Sequence, residues 1–195
     1  MDDHPDTTAR RGRRSGKTQT RATILRVALT QFAETGYADT SVRSVAAAAG
    51  VNPSLVTHFF ANKEGLFVAA VGTLMDDIRP AMAAALVGDP DRLGHRIAAA
   101  YLALWDSPAT SLRLRAVYRS ASASPAASTI VQRQLATTTA EPFKTVRASD
   151  RTRLPIVMGQ LLGIAVTRYL FETTQLPLDK LVEIAGHAAQ ATLDA

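Results

Sequence analysis

Cysteine is absent from the 195-residue chain, which excludes a disulfide scaffold, a thiolate zinc site and a cysteine nucleophile. Aromatic residues contribute only 6% of the chain, with a single tryptophan. Long apolar runs are missing too: residues 154–167, the longest, number 14, fewer than the roughly 20 that a membrane-spanning helix needs. No apolar run follows the basic N-terminal segment, so we expect no secretory signal and predict a cytoplasmic protein without membrane attachment.

The composition that remains is typical of a helical globular protein. Apolar residues make up 47% and charged residues 20% of the chain, and alanine, the strongest helix former, is abundant. The length fits one domain of average size or two small ones. Because no alternation of apolar and polar residues marks a strand, these features predict an all-α fold.

Basic charge is concentrated near the N-terminus. Residues 10–21 hold six basic side chains and no acidic one, whereas residues 22–195 hold 16 basic and 14 acidic side chains. Residues 1–18 contain almost no apolar residue, and we expect them to form a disordered tail. A basic tail of this kind is typical of a nucleic-acid arm, of a membrane-surface patch or of a segment that only aids solubility.

Two short helices are predicted after a first amphipathic helix that begins near Thr20. The second helix covers about residues 41–49, where apolar residues recur on one face. The third begins at Asn52 and Pro53, since asparagine is a favoured N-cap and proline suits the first helical position. Because Gly50 ends the second helix just before this start, the pair predicts a helix-turn-helix.

The rest of the chain carries further helix signals. A fourth helix begins near Asn62, and Pro80 is expected to kink or stop it. Three pairs of a capping residue and a proline each mark a later helix start, at residues 89–90, 107–108 and 124–125. Two final helices cover about residues 154–173 and 179–193. The prediction is an all-α chain of about nine helices.

The third helix offers an outward face without a carboxylate. Its outward residues are Pro53, Ser54, Leu55, Thr57 and His58. Because the second helix of a helix-turn-helix enters the anionic major groove, the lack of acid makes this face compatible with DNA. On the preceding helix, Arg43 suits a bidentate contact to guanine. Taken singly, Arg43 is equally explained as a solvated surface charge and His58 as a surface histidine.

Residues 20–71 contain many residue types at fixed spacing: Ile24-Leu25, Phe32-Ala33-Glu34, Gly36-Tyr37, Thr40-Ser41-Val42, Val45-Ala46, Ala49-Gly50-Val51, His58-Phe59-Phe60 and Asn62-Lys63-Glu64-Gly65-Leu66. This segment resembles the DNA-binding domain of the TetR family of bacterial repressors. The resemblance implies that a set of matching positions contacts DNA: Ser41, Arg43, Pro53, Ser54, Leu55, Thr57, His58 and Phe59. It also implies that Lys63, at the start of the fourth helix, holds a phosphate.

Two positions depart from the family pattern. The family usually has tyrosine where this chain has Thr57, and often tyrosine or histidine where it has Phe59. The loss of these polar groups should remove one or two phosphate contacts per half-site. We expect the basic residues of segment 10–21 to compensate, so that DNA affinity depends more strongly on the tail and on salt.

The rest of the chain resembles the family in architecture alone, which implies a helical domain that dimerises and encloses a ligand. We therefore divide the chain into a tail at residues 1–18, a helix-turn-helix domain at residues 19–65, and a ligand-binding and dimerisation domain at residues 66–195.

The helix at about 154–173 is apolar nearly all round, so it is buried on more than one side. One face can meet its own domain and another a partner subunit, although a central helix in a monomer would have the same pattern. We favour a dimer, because a palindromic DNA site needs two-fold symmetry. The predicted interface comprises Gly159, Gly163, Val166, Leu170, Leu181, Ile184, Ala185 and Ala188.

Aromatic and sulfur side chains outside the regular apolar stripes are the candidates for an effector pocket. They are Met75, Met82, Tyr101, Trp105, Tyr118 and Met158, with Arg115 and Arg119 as possible charge partners. Such residues also serve as ordinary core filler. The arginines favour an anionic effector, and a solvated helix face explains them as well.

No catalytic residue, metal ligand or cofactor is predicted. Residues 12–18 look like a phosphate-binding loop but lack one residue of the required spacing, and no strand precedes them. Asp89 and Asp91 near His95 are better explained by helix capping than by metal binding. We therefore expect a protein that is not an enzyme.

The sequence as a whole predicts a homodimeric transcriptional regulator, expected to be a repressor. Residues 40–63 would bind a pseudo-palindromic, double-stranded DNA operator. An unknown small-molecule effector would release the DNA by changing the separation of the two recognition helices through the fourth helix. The alternative is a helical bundle that binds partner proteins or an acidic membrane surface through its basic tail.

Overall fold

The computed structural model describes the backbone of residues 9–195 and the side chains of residues 17–138 and 144–195. Over the described backbone the chain forms ten α-helices and no strand, which confirms the all-α prediction. The helices are α1 Ala9–Glu34, α2 Gly36–Asp39, α3 Val42–Ala48, α4 Pro53–Phe60, α5 Lys63–Ala85, α6 Leu93–Asp106, α7 Pro108–Ala123, α8 Pro125–Phe143, α9 Ala148–Tyr169 and α10 Leu178–Asp194. A 3₁₀ turn, Pro90–Arg92, precedes α6.

The helix beyond the predicted nine is the single turn of α2. It begins at Gly36, whose φ of 82° lies in the left-handed region that glycine adopts without strain. Four residues are too few to establish an apolar periodicity, so the sequence pattern carries no signal for this helix. In the structure α2 packs against α1 and α7.

Helix α1 begins at Ala9, eleven residues before the predicted start at Thr20. Part of the predicted disordered tail, residues 9–18, therefore lies in a helix, while residues 1–8 lie outside the described residues. Arginine, lysine and glutamine are good helix formers. Because propagation of an existing helix is much easier than nucleation, the packed part of α1 allows the helix to extend toward the N-terminus.

Two helices continue through a proline. Pro80 was expected to kink or stop the fourth predicted helix, but α5 continues to Ala85. Pro155 lies in the second turn of α9. Both prolines are on exposed helix faces, where the carbonyl left without a helical donor can bond to water instead. Within the described residues, no helix is long and apolar enough to cross a membrane.

The buried side chains form two apolar clusters. The first, here called the N-terminal core, joins α1, α3, α4 and most of α5 to parts of α6, α7, α8 and α9. The second, the C-terminal core, lies between the end of α5 and helices α6, α9 and α10. The N-terminal core thus crosses the domain boundary predicted at residues 65–66, so helices α1, α3 and α4 share one packed core with parts of α6, α7, α8 and α9.

Helices α6 and α10 cross at very short distance. A Cβ atom on Gly94 would overlap the backbone of Gln190, and one on Gly186 would lie 2.6 Å from the His95 ring. The Gln190 side chain accepts a hydrogen bond from the Gly94 amide at 2.8 Å. The rings of His95 and His187 are 4.6 Å apart. Burial, with His187 and Arg92 nearby, lowers the pKa of His95, so its neutral form is favoured at this crossing.

Candidate nucleic-acid interface and ligand cavity

The turn between α3 and α4, the predicted recognition helix, is bounded by two side-chain caps. Ser41 begins α3 with a capping box, in which its hydroxyl accepts from the Ser44 amide at 3.0 Å and the Ser44 hydroxyl accepts from the Ser41 amide at 3.1 Å. Asn52 begins α4, since its side chain accepts from the Ser54 amide at 2.9 Å. Both caps satisfy amide groups that the first helical turn leaves unpaired. The predicted starts of these helices agree with the structure to within one residue.

Helix α4 is anchored on its inner side. Val56 is fully buried and Phe60 nearly so in the N-terminal core. The Arg21 guanidinium of α1 lies 5.0 Å from the centroid of the Phe60 ring, a cation–π contact that joins the basic part of α1 to the end of α4. These contacts determine which residues of α4 face away from the protein.

Four of the five residues predicted on the outward face of α4 are exposed, and Leu55 is the exception. Exposed side chains are Pro53, Ser54, Thr57 and His58, whereas Leu55 and Phe59 are half-buried. On α3, Ser41 and Arg43 are exposed as well. The α4 face carries no carboxylate, and its neighbour Arg43 adds a positive charge.

The hydroxyl groups on this face already have partners within their own helix. The Ser54 hydroxyl donates to the Asn52 side chain at 2.8 Å, and the Thr57 hydroxyl donates to the Ser54 carbonyl at 2.9 Å. Each hydroxyl oxygen retains acceptor capacity, but a donated bond to a phosphate would require the hydroxyl to rotate away from its partner.

Lys63 faces the protein rather than the solvent. Its ammonium donates to the carbonyls of Tyr37 at 3.0 Å and Ala38 at 3.2 Å, and lies 4.5 Å from the centroid of the Tyr37 ring. The predicted phosphate contact of Lys63 therefore competes with these bonds at the end of α2. The resemblance carried no information about this competition, because the one-turn helix α2 was not predicted.

The connection between α4 and α5 combines an unusual backbone conformation with a very close contact between the two helices. Ala61 adopts a φ of 63°, and Asn62 caps α5 by accepting from the Gly65 amide at 2.8 Å. A Cβ atom on Gly65 would overlap the carbonyl oxygen of Phe60, the last residue of α4. Glycine at position 65 therefore determines how closely α5 follows the recognition helix.

An apolar cavity of about 210 Å³ lies among α5, α6, α7, α8 and α9. Four predicted pocket residues line it: Met75, Tyr101, Trp105 and Tyr118. Burial raises the pKa of Tyr101 to about 12, so its hydroxyl stays protonated.

The other predicted pocket residues lie elsewhere. Met82 and Met158 pack in the C-terminal core, since sequence spacing alone did not distinguish the two clusters. Arg115 and Arg119 line an open polar groove between the end of α1, α7 and the segment after α9, here called the arginine groove. Its other lining residues include Tyr118, Tyr169 and Glu172. Its two parts share Arg115, Tyr169 and Glu172 as lining residues and measure about 280 and 390 Å³.

The predicted dimer residues divide between two sides of α9 and α10. Gly159, Gly163, Ile184 and Ala188 are exposed. By contrast, Leu181 and Ala185 are only 5% and 1% exposed because they lie in the C-terminal core. Val166 is 8% exposed, and Leu170 packs half-buried against the N-terminal core. Val166, Leu181 and Ala185 are thus buried within their own chain and Leu170 partly so, and the dimer contacts expected of these four residues stay predictions. A helix that is apolar all round has no sequence signal for which side faces its own domain.

Metal ligands are not grouped in the described residues: no three His, Cys, Asp or Glu side chains lie close enough to hold an ion. The Asp89 side chain accepts from the Asp91 amide at 3.0 Å and caps the 3₁₀ turn, as the capping interpretation of these residues predicts.

Two parts of this chain each match a known domain family. Residues 24–70 match the family described as bacterial regulatory proteins, tetR family, and residues 91–193 match the family described as tetracyclin repressor-like, C-terminal domain. The first match covers the helix-turn-helix. The second covers more than half of the chain, including most of the helices that enclose the cavity.

Individual proteins resemble this chain over segments of different length. The HTH-type transcriptional regulatory protein RaaS of Mycobacterium tuberculosis is 40% identical over 73 residues, 37% of this chain and only 34% of RaaS. A TetR-family regulator from Streptomyces coelicolor is 33% identical, with 92% of this chain and 97% of that chain covered and a TM-score of 0.61. SmeT, solved in complex with triclosan, is 18% identical with a TM-score of 0.68, covers 89% of this chain and 90% of its own, and is thus similar in fold.

Proposed function

Because the chain belongs to the TetR family of bacterial regulatory proteins and is a DNA-binding transcriptional regulator, we propose that it is a homodimeric repressor released by a small-molecule effector. The two recognition helices α4 would bind the two halves of a pseudo-palindromic operator. The segment at residues 40–63 would supply the DNA contacts.

One observation carries the DNA-binding part of this proposal. The exposed face of α4 carries no carboxylate and lies beside the exposed guanidinium of Arg43. A surface that enters the major groove must avoid carboxylates and benefits from a bidentate donor. The residues proposed for this role are Ser41, Arg43, Pro53, Ser54, Leu55, Thr57, His58 and Phe59, with Lys63 available if it leaves the α2 carbonyls.

Selection of bound DNA from a random pool tests the proposal. We expect an enriched site with two-fold symmetry and a clear loss of affinity for it in the double variant Arg43→Ala, Ser54→Ala. Both side chains are exposed, so folding and non-specific DNA binding should persist. A helical bundle that binds proteins or acidic membranes would enrich no symmetric site, and the double variant would then change nothing.

Dimerisation would use the exposed side of α9 and α10. Ile156 and Ile184 are 58% and 56% exposed despite their apolar side chains. On the same side of α9, the Cα atoms of Gly159 and Gly163 have open space around them, so a partner helix can approach closely. A large apolar surface with small residues at its centre is typical of a subunit interface.

The substitution Ile184→Glu tests this surface. It should shift the protein from dimer to monomer by at least tenfold in dissociation constant, because two carboxylates would be desolvated near the two-fold axis. Light scattering with size-exclusion chromatography measures the change. Val87→Glu is the matched control, since Val87 is 72% exposed in the turn after α5 and belongs to neither α9 nor α10. Equal oligomeric states for the two variants would contradict the proposed interface.

Effector response would start from the apolar cavity. Helix α7 lines the cavity through Leu114, Val117 and Tyr118, and the same helix packs against α1 and α2. Arg113 of α7 is also paired with Asp77 of α5 at 2.5 Å. A ligand would therefore act on the DNA-binding helices through α7 as well as through α5. The sequence predicts only the route through the fourth helix, which is α5. The ligand must prefer the arrangement that does not bind DNA, since equal affinity for both shifts no population.

A further inference from the structure

The apolar cavity and the arginine groove are neighbours that share one side chain. Tyr118 of α7 lines both spaces and is half-buried. An aromatic pair also lies between the two spaces: Trp105 of the cavity stacks on Tyr169 of the groove, with ring centroids 5.9 Å apart. A ligand that spans the two spaces would therefore pass beside Tyr118 and this aromatic pair, with an apolar end in the cavity and a charged end in the groove.

The apolar end has almost no polar group. Apart from two tyrosine hydroxyls and the Trp105 indole N–H, the side chains that line the cavity are aliphatic or methionine. The indole nitrogen of Trp105 is buried, and the Trp105 side chain interacts with the Tyr101 hydroxyl. An unpaired charge would be costly there, so this end accepts an apolar group. Its volume of about 210 Å³ exceeds the roughly 150 Å³ of a cavity that holds benzene.

The charged end contains Arg115 and Arg119 of α7, together with Arg168 of α9, whose guanidinium already donates to the Leu176 carbonyl. Arg115 and Arg119 lie one turn apart on α7 and both are exposed. Neither guanidinium forms an ion pair within residues 17–138 and 144–195. Arg113, the nearest other arginine of α7, is already paired with Asp77. Because a guanidinium presents a planar fork of donors, two of them one turn apart suit a carboxylate or a similar anion, although Glu172 in the same groove weakens the preference.

We propose that the effector is an amphipathic anion, with an apolar body of about one ring and a short chain in the cavity and its anionic group on Arg115 and Arg119. This inference rests on the proposed ligand response and specifies the class of ligand. The alternatives are a neutral molecule held by the cavity alone and a cation attracted to Glu172.

Three probes of nearly equal size and different charge distinguish these classes: 4-butylbenzoate, 4-butylbenzamide and 4-butylbenzylammonium. Trp105 is the only tryptophan of the chain and lines the cavity, so its fluorescence reports binding directly. At low salt we expect the full-length protein to bind the benzoate at least tenfold more tightly than the amide, and the ammonium most weakly. Equal affinities, a preference for the ammonium, or no fluorescence change with any probe would overturn the proposal.

Substitutions test whether Arg115 and Arg119 bind the anionic group of the ligand. The double variant Arg115→Gln, Arg119→Gln should remove most of the preference for the benzoate and leave the affinity for the amide unchanged, because glutamine keeps much of the aliphatic stem. Arg133→Gln is the matched control, since Arg133 is exposed on α8 and lines neither space. A preference that persists in the double variant would overturn the assignment. The selection of symmetric DNA is measured separately, so failure of this inference is distinguishable from failure of the proposed function.

Discussion

Replacement of Thr57 by aspartate should lower the affinity for the selected DNA site by at least a hundredfold. Thr57 is exposed at the centre of the outward face of α4, and the substitution puts one carboxylate in each half-site. Like charges brought together at an interface cost several kcal/mol, and a hundredfold loss requires only about 3 kcal/mol in total. Fluorescence anisotropy with the selected duplex, at two salt concentrations, measures the effect.

Thr129→Asp is the control for this prediction. Thr129 is also an exposed helical threonine four residues after a proline that begins its helix, and its hydroxyl donates to the Pro125 carbonyl at 3.0 Å. The control adds the same charge in a similar local environment on α8. If both aspartate variants reduce the DNA affinity equally, the change in net charge causes the loss. In that case α4 would not be the surface that enters the major groove.

Replacement of Gly65 by alanine should reduce the free energy of unfolding by about 3 kcal/mol, near the upper end for added volume in a packed site. The new Cβ atom would overlap the carbonyl oxygen of Phe60, which belongs to the backbone and cannot rotate away. Relief of this overlap requires α4 and α5 to separate, so DNA affinity should fall along with stability. Denaturant unfolding followed by circular dichroism measures the first effect.

Gly72→Ala, two turns further along α5, is the matched control. A Cβ atom at Gly72 would meet nothing within 4 Å, so the higher helix propensity of alanine should stabilise the protein by roughly 0.5–1 kcal/mol. Opposite signs for the two glycines would support close packing of α5 on the end of α4. If Gly65→Ala is as stable as Gly72→Ala, the geometry of this connection is not the constraint that holds the recognition helix.

Much of the helix-turn-helix follows from local sequence signals. Ser41 and Asn52 cap α3 and α4 within one residue of the predicted starts, and the pairs 107–108 and 124–125 begin α7 and α8 as expected. Each signal depends on groups separated by fewer than five residues, so the chain needs no distant partner to express it. For the same reason, the outward face of α4 was predictable from the spacing of Val56 and Phe60.

Packing between distant segments had no comparable signal. Met75 lines the cavity while Met82, two turns later, lies in the other core. Lys63 bonds to carbonyls 25 and 26 residues away, and the exposed side of α9 contains Gly163 and not Val166. Periodicity identifies that a helix has an apolar face, and capping residues identify its ends. Which neighbour covers each face depends on how ten helices fill one interior, and that arrangement emerges only when segments far apart in sequence pack together.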